Sequence, residues 1–473
     1  MKSATTDSIL QVAPKIAPPL DPNFRPAFLA HRHFAEAVRQ SGQGVPLKLA
    51  LERSGGQVAV YNTQTFPEGH TESEAAYRHA ERIVKFLLWQ KGGAKVYVCG
   101  PAAIATRLKK DYADGGVRAF DAEFMAQVYE KNSFEVVHVG EKDFPKGNET
   151  SAPVGRHLEG CRIGFDAGGS DRKVAAVIDG KEVFSCEVVW EPKINSDPQY
   201  HFDGIDDSIR RAAEHLPRID AIGVSSAGIF IDNKTRVASL FRKIPEDLFE
   251  QRIKNVYPDI AKKWGNVPLE VANDGDVTAL AGAMSLNDQP VLGIAMGTSQ
   301  AVGYVDEKGH ITGWLNELAF APVDYSDQAP VDVEWSGDQG TGVQYFSQEA
   351  VIRLAPQLGI ALDANLSPGA KLKIVQDLFK SGDKRPRAIF ETIGVYLGYA
   401  LAQYAEFYPL KHVLILGRVT SGEGGNIILA KAREVLEAEA PETGKRVHIH
   451  LPDEASRRVG QAIAAASLPV IKK

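Results

Sequence analysis

From residue 161 onward the chain alternates short apolar runs with longer amphipathic stretches. CRIGFDAGGSDRKVAAVIDGKEVFSCEVVW (161–190) has the pattern of strands joined by hairpin turns. The pattern then predicts a helix at about 203–216, a strand at 219–225 and a helix around 246–264. VPLEVAND (267–274) predicts another strand, which runs into the helix DVTALAGAMS. PVLGIAMGTSQAVGYVDEKGHITG (290–313) repeats the strand–turn–strand–turn pattern. Helices near 346–355, 368–381 and 385–408 follow, then strand HVLILG (412–417), a helix over 424–439, strand RVHIHLP and a terminal helix over 456–467. The order strand, strand, helix, strand, helix therefore occurs twice. Alternation of this kind predicts layered α/β structure, and its duplication predicts two related lobes.

The first part of the chain has a different pattern. Prolines at 14, 18, 19, 22 and 26 obstruct helix and sheet, so residues 1–26 are expected to form an extended arm. AFLAHRHFAEAVRQ predicts a helix, and PLKLALERSGGQVAVYNTQTF predicts a hairpin over 46–66 across its Ser-Gly-Gly turn. Thr71 stands three residues before Glu74, the spacing of a capping box opening a helix over about 71–91. KVYVCG (95–100) and FEVVHVG (134–140) predict further strands, ahead of a polar, Gly/Pro-bearing linker at 143–160. KVYVCGPAAIATRLKK also faintly echoes HVLILGRVTSGEGGNIILAKA, as a half-copy of the later fold or any other βα unit would.

At 473 residues the chain predicts two to four structural units. A net charge of −6 offers no global basic field for nucleic acid or an anionic membrane. Cys99, Cys161 and Cys186 are widely spaced, as in reduced cytoplasmic thiols rather than a disulfide framework or zinc site. The N-terminus lacks the apolar stretch of a secretory signal, and no run is long enough for a membrane span. A cytoplasmic protein is expected. His201, His310, His412, His448 and His450 show no metal-ligand spacing, and most are expected at the surface or in caps, while HRHF (31–34) is too short a cluster for a metal site.

Four segments carry candidate chemistry. In IGFDAGGSDRK (163–173) a strand ends at Asp166, Gly168 and Gly169 turn the chain, and Ser170 and Lys173 follow. Such a turn brings backbone N–H groups close to a polyphosphate, and Asp166 could orient a Mg²⁺-bound water, although an ordinary hairpin uses the same residues. In GIAMGTSQAVGYV (293–305) Gly297, Thr298 and Ser299 form a second turn of this type. In EVANDGDVTALAGA (270–283) Asn273 and Asp274 stand where a strand meets a helix, fit to accept a hydroxyl proton or simply to cap. In LILGRVTSGEGG (414–425) Gly417 and Ser421 lie in a βα loop suited to a nucleoside or its phosphates.

In order and spacing the four segments together resemble the actin-like, hexokinase-like ATPase superfamily, and within it the ROK group of sugar kinases and repressors. The resemblance covers about 161–473 and includes IGVSSAGIF (222–230) as a strand–turn and RRVGQAIAAAS (457–467) as a closing helix. It implies two ribonuclease-H-like lobes around a cleft: a first over 158–284, with residues 456–473 packing back onto it, and a second over 285–455. An N-terminal α/β accessory domain over 1–157 would precede them, for regulation, dimerisation or covering the cleft. The resemblance further implies ATP and Mg²⁺, with Asp274 as general base, Asn273, Ser226 and Glu317 at the sugar, and Asp166 toward the metal through water. The nucleotide would lie at Gly168, Gly169, Ser170, Lys173, Gly297, Thr298, Ser299, Gly417 and Ser421.

The sequence also departs from the family pattern. NELAF (316–320) keeps Glu317 but has Phe320 where the family's sugar motif has histidine, and SGDQGTGVQYF (336–346) has no cysteine. No structural zinc is expected. Val343 or Gln344 stands in for a later sugar-contacting glutamate. Arg242 in SLFRKIP (239–245), beside Lys243, would favour an anionic sugar unless the pair is simply solvated. The expected reaction is ATP-dependent phosphorylation of a sugar or sugar-derivative hydroxyl. A sensor that binds sugar or nucleotide without transfer, or an ATPase coupled to a partner, are the alternatives. The expected partner is a small sugar, with no nucleic acid and no membrane, and a homodimer is left open.

Overall fold

A computed structural model describes residues 8–149, 153–452 and 454–471. In the N-terminal unit, β1 (Val45–Glu52), β2 (Val58–Thr65), β3 (Lys95–Cys99) and β4 (Glu135–His138) form a sheet in the order β2-β1-β3-β4. The first lobe holds β5 (Cys161–Ala167), β6 (Asp171–Ile178), β7 (Lys181–Val189), β8 (Ala221–Ser226) and β11 (Leu269–Asn273), in the order β11-β8-β5-β6-β7. Between β8 and β11 a two-stranded ribbon, β9 (Ile229–Ile231) and β10 (Lys234–Val237), turns at Asp232 and Asn233, both at positive φ as a tight hairpin needs. The second lobe holds β12 (Val291–Met296), β13 (Gln300–Val305), β14 (His412–Leu416) and β15 (His448–His450), in the order β13-β12-β14-β15.

The two lobe sheets repeat one plan. An antiparallel hairpin (β5/β6, β12/β13) comes first, then a strand parallel to its first member (β8, β14), then another parallel strand beyond that (β11, β15). The N-terminal sheet is not a third copy, because β3 runs antiparallel to β1 where β14 runs parallel to β12.

Two helices join the lobes. Helix Asp274–Leu286 leaves β11 and packs on β12 and β13, and the terminal helix Glu454–Ala466 packs on β5, β6 and β8. Gly164 and Gly223 permit that return. A Cβ at either position would come within 2.0 Å and 1.8 Å of the carbonyl oxygens of Ala462 and Ala465, so any side chain there would lift the helix off the sheet.

The N-terminal unit does not stand apart, for its buried apolar residues run without a break into those of the second lobe. Phe86 stacks on Phe407 at 4.1 Å between ring centroids, and Gln90 donates to Phe407 O at 2.8 Å. The proline-rich arm lies along helix Pro386–Phe407, where Leu20 N donates to Thr392 and Ile16 N to the Tyr399 hydroxyl. The 143–160 segment, expected as a polar linker, is tied down as well: Gly155 N and His157 N donate to Leu468 O and Ser467 O.

Two local expectations are corrected. The Thr71/Glu74 capping box does not form, because the helix starts at Ser73 after an uncapped Glu72, and Glu74 pairs with Arg107 instead. The continuous helix over 246–264 is broken into a short turn, a π segment at Phe249–Ile253 and a helix Val256–Lys263. Pro258 accounts for the restart, since a residue without N–H is tolerated only in the first turn of a helix.

Candidate active site

The C-terminal ends of β5, β8 and β11 converge with the β12–β13 hairpin at the start of helix Asp274–Leu286. Asp274, Gly275 and Thr278 share a small cavity of about 60 Å³ with Gly293, Ala295, Ala301 and Leu416 of the second lobe. Asp274 therefore lies at the junction of the lobes. Asn273 caps the helix, accepting from Gly275 N at 2.7 Å, and donates through Nδ2 to Gly228 O at 2.8 Å. It thereby ties the turn after β8 to the residue that follows it. Asp274 is half-buried and accepts from Gly275 N at 3.0 Å. Burial raises its pKa above the ordinary aspartate value, while the helix-end amides and the charge of Lys193 pull it down.

Asp166, 7% exposed, is beside this group. Burial pushes it up to about 6, opposed by the Ser225 hydroxyl that donates to it at 2.7 Å and reinforced by the charge of Asp274. Ser226 was expected at the substrate but is fully buried, with its Oγ accepting from Tyr257 at 2.9 Å. Strand alternation explains the correction: adjacent residues of β8 face opposite sides of the sheet, and only Ser225 faces Asp166.

At the first hairpin Gly169 and Ser170 are exposed, the Trp190 indole holds Gly168 O at 2.8 Å, and Lys173 pairs with Asp171 at 3.0 Å. At the second, Thr298 and Ser299 are exposed and Gly297 N donates to Ser299 O at 2.9 Å. Gly417, at φ +96°, sits so close to the end of β12 that a Cβ would come 2.3 Å from Met296 O. This brings the 417–421 loop, with Ser421 exposed, against the second hairpin.

Sequence reasoning missed Lys193 and Asp276. Lys193 lies in the turn after β7, and its Nζ would be 2.8 Å from a Cβ at Gly169. It thus spans from the first glycine turn to the neighbourhood of Asp274. Arg242 is exposed and donates to the Lys193 carbonyl at 3.3 Å, so the cation acting on Asp274 is Lys193. His201, one of the histidines expected mostly at the surface or in caps, is fully buried, with its ring nitrogens 2.9 Å and 3.1 Å from Asp197 O and Pro192 O, bracing this turn. No local pattern marks Lys193. Asp276 could have been suspected as a second carboxylate two residues beyond Asp274. It is buried, accepts from Tyr304 N and Asn316 Nδ2 at 2.9 Å and 3.0 Å, and is pushed up to about 7 by burial.

Glu317 approaches from the second lobe, and burial, then the charges of Asp274 and Asp276, push its carboxyl up to about 8. Its backbone is held by the N-terminal unit: Glu317 N donates to Trp89 O at 2.9 Å and Asn316 N to Gln90 O at 3.0 Å. Among the described residues no three His, Cys, Asp or Glu side chains form a metal-ligating group. The donor set fits a hydrated Mg²⁺, which keeps most of its waters and needs one or two carboxylates, because Asp166 already carries the field of Asp171 and Asp274.

No family model and no curated protein matches the sequence. Among solved structures, the ROK hexokinase of Thermus thermophilus aligns with 64% of this chain and 97% of its own, at 18% identity and a TM-score of 0.50. The fold is that of a ROK kinase. A ROK glucokinase from Streptomyces griseus, solved with glucose and AMPPNP, aligns over 64% of this chain and 98% of its own, at 20% identity and a TM-score of 0.46. A ROK transcriptional regulator aligns over 78% and 89%, at 16% identity and a TM-score of 0.49.

Phe320 packs into an aromatic cluster, 4.3 Å from Trp89 and 5.6 Å from Phe120, and so wedges against the N-terminal unit. The 336–346 segment carries Asp338, which is buried among Arg82, Lys85 and Arg118 at 2.9 Å, 3.2 Å and 2.8 Å. No helix among the described residues is long and apolar enough to cross a membrane.

Proposed function

We propose that this chain transfers the terminal phosphoryl group of ATP to a hydroxyl of a sugar or sugar derivative, with Asp274 as the general base. The observation that carries the reading is that Asp274 lies within the electrostatic reach of Asp166, Lys193 and Glu317 on a ROK fold, with Lys193 laid over the first glycine turn and the strands of the second hairpin lining the Asp274 cavity. Asp274 takes the hydroxyl proton as the oxygen attacks. Lys193 and the amides of the Gly168–Ser170 and Gly297–Ser299 turns offset the charge spread over the phosphoryl oxygens, the main demand of this chemistry. Bound Mg²⁺, near Asp166, supplies further charge neutralisation. Glu317, protonated at neutral pH, donates to an acceptor oxygen, and Asn273 keeps Asp274 and the Gly228 turn in register.

Coupled ADP release over a panel of neutral and acidic sugars tests this. Sugar-dependent release is expected, and sugar-independent release or none would overturn the kinase. The second reading is a sensor that binds a sugar without transfer, favoured by Phe320 packed where a polar sugar contact is implied. Sugar binding without any release would support it.

Lys193→Met gives a pH test. The Lys193 charge lowers the pKa of Asp274, so its removal raises that pKa and shifts the acid limb of the pH–rate profile to higher pH. An unshifted limb would remove Lys193 from the site.

A further inference from the structure

Beside the acceptor end of the site lies a cavity of about 360 Å³ to which all three units contribute. Its walls are the β1–β2 turn of the N-terminal unit, β9 and β11 of the first lobe, and the 311–315 segment of the second. Asn273 lines it, as does Leu315, two residues before Glu317, while no residue of the two glycine hairpins does. It therefore extends the site away from the phosphoryl donor.

Two polar groups in its walls lack partners. Glu270 on β11 is half-buried, and its carboxylate makes no hydrogen bond or ion pair among the described residues. Arg53, 8% exposed, binds Gly313 O, Gln57 and Glu149 through its terminal nitrogens, but its buried Nε has no partner. The wall formed by β11 thus presents an unanswered acceptor, the Glu270 carboxylate, whereas Arg53 lines the cavity with its terminal nitrogens engaged and its Nε closed off. A hydroxyl is a ligand group that answers this acceptor, and the apolar flanks from Ile229, Phe230 and Leu315 suit the C–H faces of a sugar ring. The acidic wall, with Glu270 near Asp232, disfavours an anionic ligand.

We propose that this cavity is a saccharide subsite holding the part of the acceptor remote from the hydroxyl that is phosphorylated, so that the preferred acceptor is a disaccharide or glycoside rather than a free monosaccharide. The inference rests on the kinase reading for the word acceptor. It gives the N-terminal unit, through Arg53 and its turn, a direct part in substrate selection.

The test uses the full chain, with glucose and N-acetylglucosamine set against maltose, cellobiose and chitobiose. Affinities are measured by calorimetry on Asp274→Asn and turnover on the wild-type chain with ATP. At least one disaccharide is expected to bind about tenfold or more tightly than its monosaccharide, the scale of one or two matched hydroxyl contacts. Glu270→Gln, and Thr312→Trp filling the cavity from the opposite wall, should each reduce that ratio severalfold in proteins whose circular dichroism is unchanged. Equal affinity for monosaccharides and disaccharides, or a preference that survives both substitutions, overturns the subsite. A disaccharide that alters glucose turnover without being phosphorylated makes the cavity a separate effector site and also overturns it. Turnover of monosaccharides without preference leaves the kinase standing and the subsite fallen. Disaccharide preference in calorimetry with no turnover of any sugar does the reverse.

Discussion

Asp274→Asn is expected to lower sugar-dependent ADP release by about 10²–10⁴-fold, the contribution of a positioned general base, while a non-hydrolysable ATP analogue still binds. The substitution is nearly isosteric and keeps an oxygen for the Gly275 N–H, so the start of helix Asp274–Leu286 is retained. What it removes is a charge that raises both Asp166 and Glu317. The inactive protein should therefore be more stable than the wild type at neutral pH. The sign follows from the raised pKa of Asp274: the folded chain holds a proton that the unfolded chain has released above about 3.8, so the wild type loses stability as pH rises through that region. The difference in thermal midpoint between the two proteins should close as pH falls below the ordinary aspartate value. Full turnover in Asp274→Asn would eliminate the base, and a less stable variant would contradict the electrostatic picture around it.

The lobes were legible because their signals are local. Buried apolar runs at 161–190 and 290–305, separated by glycine turns, can pair only as hairpins, and the repeated order of elements announces the duplication. Asn273 and Asp274 were legible because a strand running into a capped helix marks its own boundary. What stayed hidden depends on which face of an element meets which neighbour. Ser225 and Ser226 are equivalent in sequence, and the choice between them needs the position of Asp166. Lys193 is one lysine in an exposed turn until folding lays it over Gly169. The capping-box spacing at Thr71 and Glu74 was present, but the helix began beyond it, with Glu74 engaged by Arg107.

Least legible was the work of the N-terminal unit. Nothing near Trp89 marks it as the support for Glu317, more than two hundred residues away, and a βα pattern alone does not tell a free accessory domain from a buttress. The contacts show the buttress. Trp89 O and Gln90 O fix the backbone of Glu317 and Asn316, Trp89 packs on Phe320, and the helix that carries them reaches Asp338 with two of its cations. The 336–346 stretch is held against this unit by a buried ion-pair cluster.

That cluster sets the second large effect. Asp338→Ala is expected to destabilise the chain by about 3–5 kcal/mol, the usual cost of stranding buried charge by removing one partner. The cluster is balanced: Arg82, Lys85 and Arg118 face Glu81, Asp121 and Asp338, with Arg82 to Glu81 at 2.7 Å and Lys85 to Asp121 at 2.8 Å. Burial alone would raise the Asp338 pKa, yet Arg82 and Lys85 hold it below the ordinary value. Its stabilising contribution is therefore present above pH 3.8 and lost as pH falls through the lowered value. Denaturant midpoints should show the deficit at pH 7 and a smaller one in acid. Lys85→Met combined with Asp121→Leu removes a directly bonded pair of opposite charges and leaves Arg82 and Arg118 facing Glu81 and Asp338. This double variant should be more stable than Asp338→Ala, because a buried ion pair replaced whole by apolar groups is often neutral where a broken one is not. If Asp338→Ala unfolds at the wild-type midpoint, the cluster does not hold the two units together and Glu317 must be positioned by the backbone bonds to Trp89 and Gln90 alone.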